Sequence, residues 1–155
     1  MKKKKLKVIC IIPARGGSKE LPNKALSLIN NKPLIAYTIE QALDSKIFDH
    51  VIVSTDSETI AQKAKDFGAE VWFIRPKELA TDFVGKVSVV RHATQEAEKY
   101  YKTKFDIIVD LDITGENHLT IFQDSITSLE TGDEVGVFDA MGVVESCNPD
   151  DGCTD

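Results

Sequence analysis

A short segment near the start of the chain, residues 13–24, combines a flexible backbone with concentrated positive charge. Gly16 and Gly17 are adjacent in it, and Arg15, Lys19 and Lys24 place three cations around them. Adjacent glycines let the backbone approach a ligand and expose its N–H groups. Backbone donors and clustered cations together are what a triphosphate needs for binding. The glycine spacing is neither that of a Walker A loop nor that of G-x-G-x-x-G, and the alternative interpretation is a flexible surface turn.

Two carboxylates form a second candidate site. Asp110 and Asp112 are two residues apart at the end of an apolar run, so in a strand their side chains point to the same face. Oxygen ligands of this kind suit Mg²⁺, although either residue could instead be a locally satisfied strand-end acid. No Ser–His–Asp arrangement or cysteine nucleophile is recognisable in the sequence. His50 is expected at the surface and His92 in a structural, packing role.

The elements that must position these residues follow from the hydrophobic pattern. Short apolar runs predict five strands, at residues 8–12, 51–54, 71–74, 107–111 and 135–138. Helical spacing of apolar residues predicts four helices, within residues 35–47, 60–67, 87–101 and 121–129. Residues 55–58 have the form of a capping box before the second helix, and Gly68 is expected to end that helix.

Strands that alternate with helices predict an α/β fold, with a mostly parallel sheet covered by helices on both faces in a three-layer α/β/α arrangement. Ligands of such sheets bind beyond the carboxyl ends of the strands, where the strand order reverses. The loop that carries Arg15 and the loop that carries Asp112 both follow predicted strands, so both are expected at this edge. No linker interrupts the pattern, and residues 1–155 are expected to form a single domain.

Composition and charge narrow the classes of function. Of the 155 residues, 42% are hydrophobic and 28% charged, which is typical of a globular domain with its own core. Residues 1–32 hold nine Lys or Arg and one acid, whereas residues 106–155 hold thirteen acids and no Lys or Arg. This split argues against nucleic acid as a partner, because that partner needs a basic stripe across the fold. No apolar stretch approaches the roughly 20 residues of a membrane span, and we expect a cytoplasmic protein with Cys10 as a buried thiol.

Residues 11–19 read IIPARGGSK and residues 22–24 read PNK, and together they resemble the first motif of the acylneuraminate cytidylyltransferases, or CMP-sialic acid synthetases. The likeness continues through residues 32–39, 48–56 and 75–82. It implies a Rossmann-like nucleotide-diphospho-sugar transferase fold. It further implies an enzyme that transfers CMP from CTP to a nine-carbon 2-keto sugar acid such as N-acetylneuraminate. Such an enzyme releases pyrophosphate, uses Mg²⁺ and can form a homodimer.

The resemblance also assigns roles by position. Arg15 and Lys24 are the expected catalytic cations, which hold the triphosphate and stabilise the leaving pyrophosphate. Arg75 and Ser88 are expected on the cytidine side of the nucleotide, although Arg75 could instead form a salt bridge with Glu78 or Asp82. The remaining expected nucleotide-binding residues are Ala14, Gly16, Gly17, Ser18, Lys19 and Asn23. The expected sugar-binding residues are Asp112 and Thr114, and Asp112 is also the expected Mg²⁺ ligand.

The sequence departs from the family after the fourth predicted strand. The family's Thr-Ser-Pro-Leu-Arg stretch keeps only Thr114, and the loop presents Glu116 in place of the arginine. Because like charges repel, a sugar carboxylate is not expected to prefer this loop. The family's C-terminal dimerisation segment is also unmatched. Two alternatives to an active enzyme follow: a catalytically impaired nucleotide-binding remnant, and a related nucleotidyltransferase of the CMP-Kdo or spore-coat type.

Overall fold

A computed structural model of the protein describes residues 5–17 and 23–113, and beyond them only the backbone of short strands within residues 119–143. The strands are β1 (Val8–Pro13), β2 (Leu28–Ile29), β3 (Lys32–Pro33), β4 (His50–Ser54), β5 (Ile107–Asp110), β6 (Leu119–Thr120), β7 (Phe122–Gln123), β8 (Val137–Asp139) and β9 (Gly142–Val143). The α-helices are α1 (Leu34–Ser45), α2 (Glu58–Asp66) and α3 (Lys86–Tyr101). Two 3-10 turns, Lys24–Leu26 and Lys77–Leu79, lie between these elements.

The main sheet has the strand order β4-β1-β5-β7. β1 runs parallel to β4 on one side and to β5 on the other, and β7 is antiparallel to β5. The central strand is buried on both faces, with Ile9, Ile11 and Ile12 at 0% exposure. A continuous β-branched run is what such a strand requires. The mostly parallel sheet is therefore confirmed.

The helices lie on both faces of this sheet, which confirms the three-layer α/β/α fold. Because successive strand residues point to opposite faces, Cys10 and Ile12 pack with the buried residues of α1 and α2. Ile9 and Ile11 pack on the other face, with Val90, Ala93 and Ala97 of α3. Helix α2 begins at the N-cap Ser57, whose side chain accepts a hydrogen bond from the Ile60 amide. Gly68, at φ +93°, follows the last turn of α2 as predicted.

The topology fixes where a ligand should bind. From β1 the chain crosses to β4 on one side, and after α3 it returns as β5 on the other side of β1. The strand order therefore reverses between β1 and β5. Their register pairs Ile11 with Asp110, and the Leu111 amide donates to the Ile11 carbonyl at 3.0 Å. The loops after Pro13 and Asp110 consequently leave the sheet side by side, at the switch point of an open α/β sheet.

The predicted strand at residues 71–74 is wrong. Only Glu70 bridges to β4: its amide donates to the Val51 carbonyl at 2.8 Å. Trp72 stacks instead on Tyr100, with ring centroids 4.5 Å apart, and Phe73 meets the ring of His92 edge-on. The aromatic contacts of this segment are made with α3 and not with a neighbouring strand, so tertiary packing overrides strand propensity here.

Three other expectations also differ from the structure. A helix over residues 121–129 is contradicted at its start, because Phe122–Gln123 forms β7 and pairs with β5, while residues 124–129 lie outside the described part. Of the strand expected at residues 135–138, residues 137–138 lie in β8, which belongs to a small antiparallel sheet with β6 and β9, and residues 135–136 lie outside the described part. His50 is not a plain surface residue: it is half-buried, stacks on Tyr101 at 3.8 Å and bonds to Glu70. Among the helices described, none has the length and apolar character of a membrane span.

Candidate functional site

The end of β1 is held against the end of β4. The Ala14 amide donates to the Ser54 carbonyl at 2.9 Å, and the Gly16 amide donates to the Asp56 carboxylate at 2.8 Å. Ala14 is 1% exposed and Ser54 is fully buried. Arg15 therefore lies between two anchored residues: Ala14 is bonded to the end of β4, and Gly16 is bonded to Asp56, which follows β4. Such anchoring is what a preorganised binding loop needs.

The two adjacent glycines play different roles. A Cβ added at Gly16 would lie 3.2 Å from the Cβ of Ser57, so a side chain there would crowd the start of α2. A Cβ at Gly17 would meet no atom within 4 Å in the described part of the chain. Gly16 thus permits close packing of the loop against the start of α2, whereas the backbone at Gly17 is not crowded by any described residue.

Arg75 is a buried guanidinium at the back of the site. Its side chain donates through Nε to the Ser54 hydroxyl at 3.1 Å and through a terminal nitrogen to the Ser54 carbonyl. Burial lowers its pKa to about 10, while the negative charge of Asp56 raises it and the positive charge of Arg15 lowers it further. Arg75 is therefore still cationic at neutral pH. The alternative of a salt bridge to Glu78 or Asp82 is wrong: Ser54 holds Arg75, and Asp82 pairs with Arg15.

Arg15 reaches across the site to a carboxylate. Its guanidinium lies 2.6 Å from Asp82, and the two side chains are 32% and 27% exposed. Exposed pairs of this kind contribute little to stability, typically about 0.2–1 kcal/mol. A stronger anion can therefore displace Asp82 and take over Arg15.

A third cation faces the two predicted carboxylates. Lys86, the first residue of α3, places its Nζ 2.8 Å from Asp110 and 2.9 Å from Asp112. Burial lowers the pKa of Lys86, but the hydrogen bonds and charges of the two carboxylates outweigh it, and the pKa lies above its ordinary value.

Burial, together with the negative charge of Asp110, raises the pKa of the Cys10 thiol, so Cys10 stays protonated and is no nucleophile.

A cleft of about 300 Å³ joins these groups at the switch point. Arg15, Arg75 and Lys86 contribute three cations to its wall. The other lining residues are Pro13, Leu79, Thr81, Asp82, Val84 and Val89. Its volume is near the lower end of ordinary ligand pockets. Three cations that converge at the carboxyl ends of parallel strands give this cleft the charge that an anionic ligand would need.

The structure brings some of the predicted residues together and leaves others apart. Arg15 and Arg75 line the cleft, but Asn23, Lys24 and Ser88 are not among the described residues of its wall. Asn23 is exposed and has a left-handed backbone at φ 55°, immediately before the turn that contains Lys24. Ser88 is exposed in the first turns of α3. Ser18, Lys19 and Thr114 lie outside the described residues.

Sequence reasoning missed Lys86, Asp82 and Ser54. In the sequence, nothing distinguishes Lys86 from the other lysines, because its contact with Asp110 depends on how α3 crosses the sheet. One signal was available: a carboxylate buried at the end of β5 needs a counter-charge, and α3 is the helix that packs on that face. In the sequence, Asp82 stands out only as a possible partner of Arg75.

The two carboxylates also bear on a metal. In residues 5–17 and 23–113, no three His, Cys, Asp or Glu side chains are grouped as metal ligands. The oxygens of Asp110 and Asp112 nevertheless converge on one point, which Lys86 Nζ occupies. Mg²⁺ in nucleotide sites is commonly held by one or two carboxylates plus substrate phosphates. The donor set therefore fits a divalent cation that arrives with a polyphosphate.

Comparison with known proteins gives one family. The family model described as "Cytidylyltransferase" matches residues 9–125. Post-translational flagellin modification protein B of Campylobacter coli is 44% identical over 124 residues, which are 80% of this chain and 52% of that protein. CMP-N,N'-diacetyllegionaminic acid synthase of Campylobacter jejuni is 47% identical over 105 residues, 68% of this chain and 45% of that protein. The chain thus spans about half the length of these relatives.

A solved structure gives the same result for the fold. CMP:2-keto-3-deoxy-manno-octonic acid synthetase, solved in complex with CTP, superposes with a TM-score of 0.56 at 29% identity. The match covers 69% of this chain and 40% of that one. The α/β architecture with a parallel sheet is therefore shared with a nucleotide-binding synthetase, and the matched region includes most of the described residues.

Proposed function

Because the chain belongs to the cytidylyltransferase family, we propose that it binds CTP in the cationic cleft and transfers CMP to a nonulosonic acid, with release of pyrophosphate. The observation that carries the proposal is the convergence of Arg15, Arg75 and Lys86 at the β1/β5 switch point. Relatives that the chain matches are named for CMP-legionaminic acid, pseudaminic acid and N-acylneuraminate. These names support nonulosonic acids as the class of sugar substrate.

In the proposed reaction, the anomeric hydroxyl oxygen of the sugar attacks the α-phosphorus of CTP. A P–O bond forms to the sugar, the bond from the α-phosphorus to the bridging oxygen breaks, and pyrophosphate leaves with the electron pair. The hydroxyl proton passes to solvent or to a neighbouring base. Phosphoryl and nucleotidyl transfers depend mainly on positioning and on neutralising the charge that develops on the phosphates.

The residues of the cleft can supply both needs. Arg75 is fixed by Ser54 at the back of the cleft and presents a permanent positive charge to the nucleotide. Arg15 leaves Asp82 and pairs with a phosphate, where it stabilises the negative charge that develops on the leaving pyrophosphate. Lys24, which the resemblance makes the second catalytic cation, and Lys19, which it makes an assisting one, are part of the proposal for the same triphosphate. Asp110 and Asp112 are the residues that would hold Mg²⁺, whose charge neutralises the phosphates when it is bound.

The proposal includes the whole chain as one nucleotidyltransferase-like domain. Homodimer formation, which the resemblance implies, belongs to the same proposal. The runner-up is a protein that binds CTP without turnover, favoured by Glu116 in the loop that follows β5. A nucleotidyltransferase of the Kdo type is the second runner-up, favoured by the superposition on the Kdo synthetase.

A pyrophosphate-release assay with CTP and Mg²⁺ separates these functions. We expect release that depends on N-acetylneuraminate, legionaminic acid or pseudaminic acid, and less release with Kdo. Arg15→Met should abolish it. Lys104→Met removes the same charge from a side chain that is 75% exposed, pairs with Glu98 and does not line the cleft, and it should leave the release intact. CTP binding without release for any sugar would favour the non-catalytic alternative. Release with Kdo alone would move the protein to the other synthetase type.

A further inference from the structure

Lys86 bridges two carboxylates that the fold brings to one edge of the sheet. Its Nζ lies 2.8 Å from an oxygen of Asp110 and 2.9 Å from an oxygen of Asp112. The Asp110 side chain is 1% exposed, whereas Asp112 and Lys86 are about one-third exposed, at 32% and 35%. The ammonium therefore contacts both carboxylates from the cleft side, where it also forms part of the wall.

Two carboxylates this close repel each other unless a cation lies between them. Lys86 supplies that cation and keeps both oxygens directed at one point. A divalent metal bound to the same oxygens would lie within a few ångströms of the ammonium, and the two cations would repel strongly at that distance. Lys86 and a metal ion therefore exclude each other at Asp110 and Asp112 unless the lysine moves.

The cleft offers the lysine another partner. Lys86 lines the cleft together with Arg15 and Arg75, so a polyphosphate bound there would lie within reach of the flexible lysine side chain. Turning toward phosphate would release the two carboxylates without leaving the ammonium unpaired. Binding of the nucleotide would then favour binding of the metal, because the phosphates pair with Lys86 and so free the two carboxylates. Binding of the metal would in turn favour the nucleotide, because the metal neutralises the phosphates.

We propose that Lys86 is a positioning residue that acts as the resident cation of this site: it holds Asp110 and Asp112 together, excludes free metal, and yields them to Mg²⁺ when a polyphosphate takes over its ammonium. The inference rests on the proposed function, because that function supplies the polyphosphate. It concerns metal binding before catalysis, and metal binding can be measured without turnover.

The test is the affinity of the full chain for Mn²⁺ in the absence of nucleotide, followed by the electron paramagnetic resonance signal of free Mn²⁺. We expect weak binding by the wild type and binding at least about tenfold tighter by Lys86→Met, since removal of an opposing unit charge at this range is worth that much or more. Lys86→Arg keeps the charge and should bind as weakly as the wild type. Lys104→Met is the matched control for net charge and should also leave the affinity unchanged.

The gain must depend on the carboxylates. Adding Asp112→Asn to Lys86→Met should remove it, and a gain that persists in this double variant would overturn the proposal. Unchanged or weaker Mn²⁺ binding by folded Lys86→Met would overturn it as well. If loss of the bridge unfolds Lys86→Met, Lys86→Gln keeps a hydrogen-bond donor toward the carboxylates and takes its place in the same comparison.

The two proposals fail in different ways. If CTP binds and pyrophosphate is released but Lys86→Met leaves Mn²⁺ affinity unchanged, only the role of Lys86 is wrong. If Lys86→Met tightens Mn²⁺ binding through Asp112 but CTP does not bind to the wild type, the exclusion of free metal by Lys86 stands and the proposed nucleotide is wrong.

Discussion

Replacing Asp82 with asparagine tests whether Arg15 must change partners when a nucleotide binds. In the free protein the Arg15 guanidinium lies 2.6 Å from Asp82, with both side chains about one-third exposed or less, at 32% and 27%. A triphosphate has to displace this carboxylate and also approach its negative charge. The pair is worth about 0.2–1 kcal/mol after solvent screening, so its removal should tighten CTP binding by up to about five-fold.

Calorimetric titration of Asp82→Asn with CTP and Mg²⁺ measures this effect directly. The control is Asp66→Asn in the last turn of α2, which loses the same charge from an exposed pair with Lys63 and should bind CTP as the wild type does. The gain should shrink as salt is added, because both the pair and the repulsion are screened. Weaker binding by Asp82→Asn would refute the reasoning, since it would mean that Asp82 orients Arg15 for the phosphate and does not compete with it.

Three further predictions concern the anchoring and the core of the site. Gly16→Ala places a Cβ 3.2 Å from Ser57 and should lower the free energy of unfolding by about 1 kcal/mol, whereas Gly17→Ala should leave it nearly unchanged; urea denaturation compares the two. Arg75→Met removes the donors that hold buried Ser54 and should cost about 1–3 kcal/mol in the same assay, and a stability equal to that of the wild type would contradict the buried hydrogen bonds. Because burial raises the folded-state pKa of Cys10 above its ordinary 9.0, the stabilisation that its neutral thiol provides is complete below that pH and is lost as pH rises above it. Cys10→Ala should therefore reduce the decline in unfolding free energy between about pH 8 and about pH 10.5, and an unchanged decline would exclude Cys10 as its source.

Much of the fold was predictable because its strongest signals are local. The β-branched run of β1 indicates a strand buried on both faces, and the helical spacing of apolar residues in α3 indicates a helix buried on one face. Both elements form where predicted. The segment around Trp72 misled the prediction, since a β-prone run reads as a strand whether its side chains meet a neighbouring strand or a helix. Stacking of Trp72 on Tyr100 is a tertiary contact that no local pattern encodes.

The candidate site was predictable only in part, for a related reason. Arg15 and Asp112 follow strands, and topology rules place strand ends together, so their meeting at one edge could be expected. The partners of these residues come from elsewhere in the chain: Asp82 from a loop and Lys86 from the start of α3. Ser54, which holds Arg75, looks in the sequence like the last residue of a strand. Its role as the partner of Arg75 depends on a tertiary contact between residues 21 positions apart in the chain.

The most direct test of the central claim is whether the cationic cleft selects CTP. Calorimetric titration of the full chain with CTP and with ATP, each with Mg²⁺, should be run on the wild type, Arg15→Met and Lys104→Met. The account predicts that the wild type and Lys104→Met bind CTP more tightly than ATP, and that Arg15→Met loses most of the CTP affinity. Equal affinity of the wild type and Arg15→Met for CTP, or no binding of CTP by either, would contradict the assignment of this cleft.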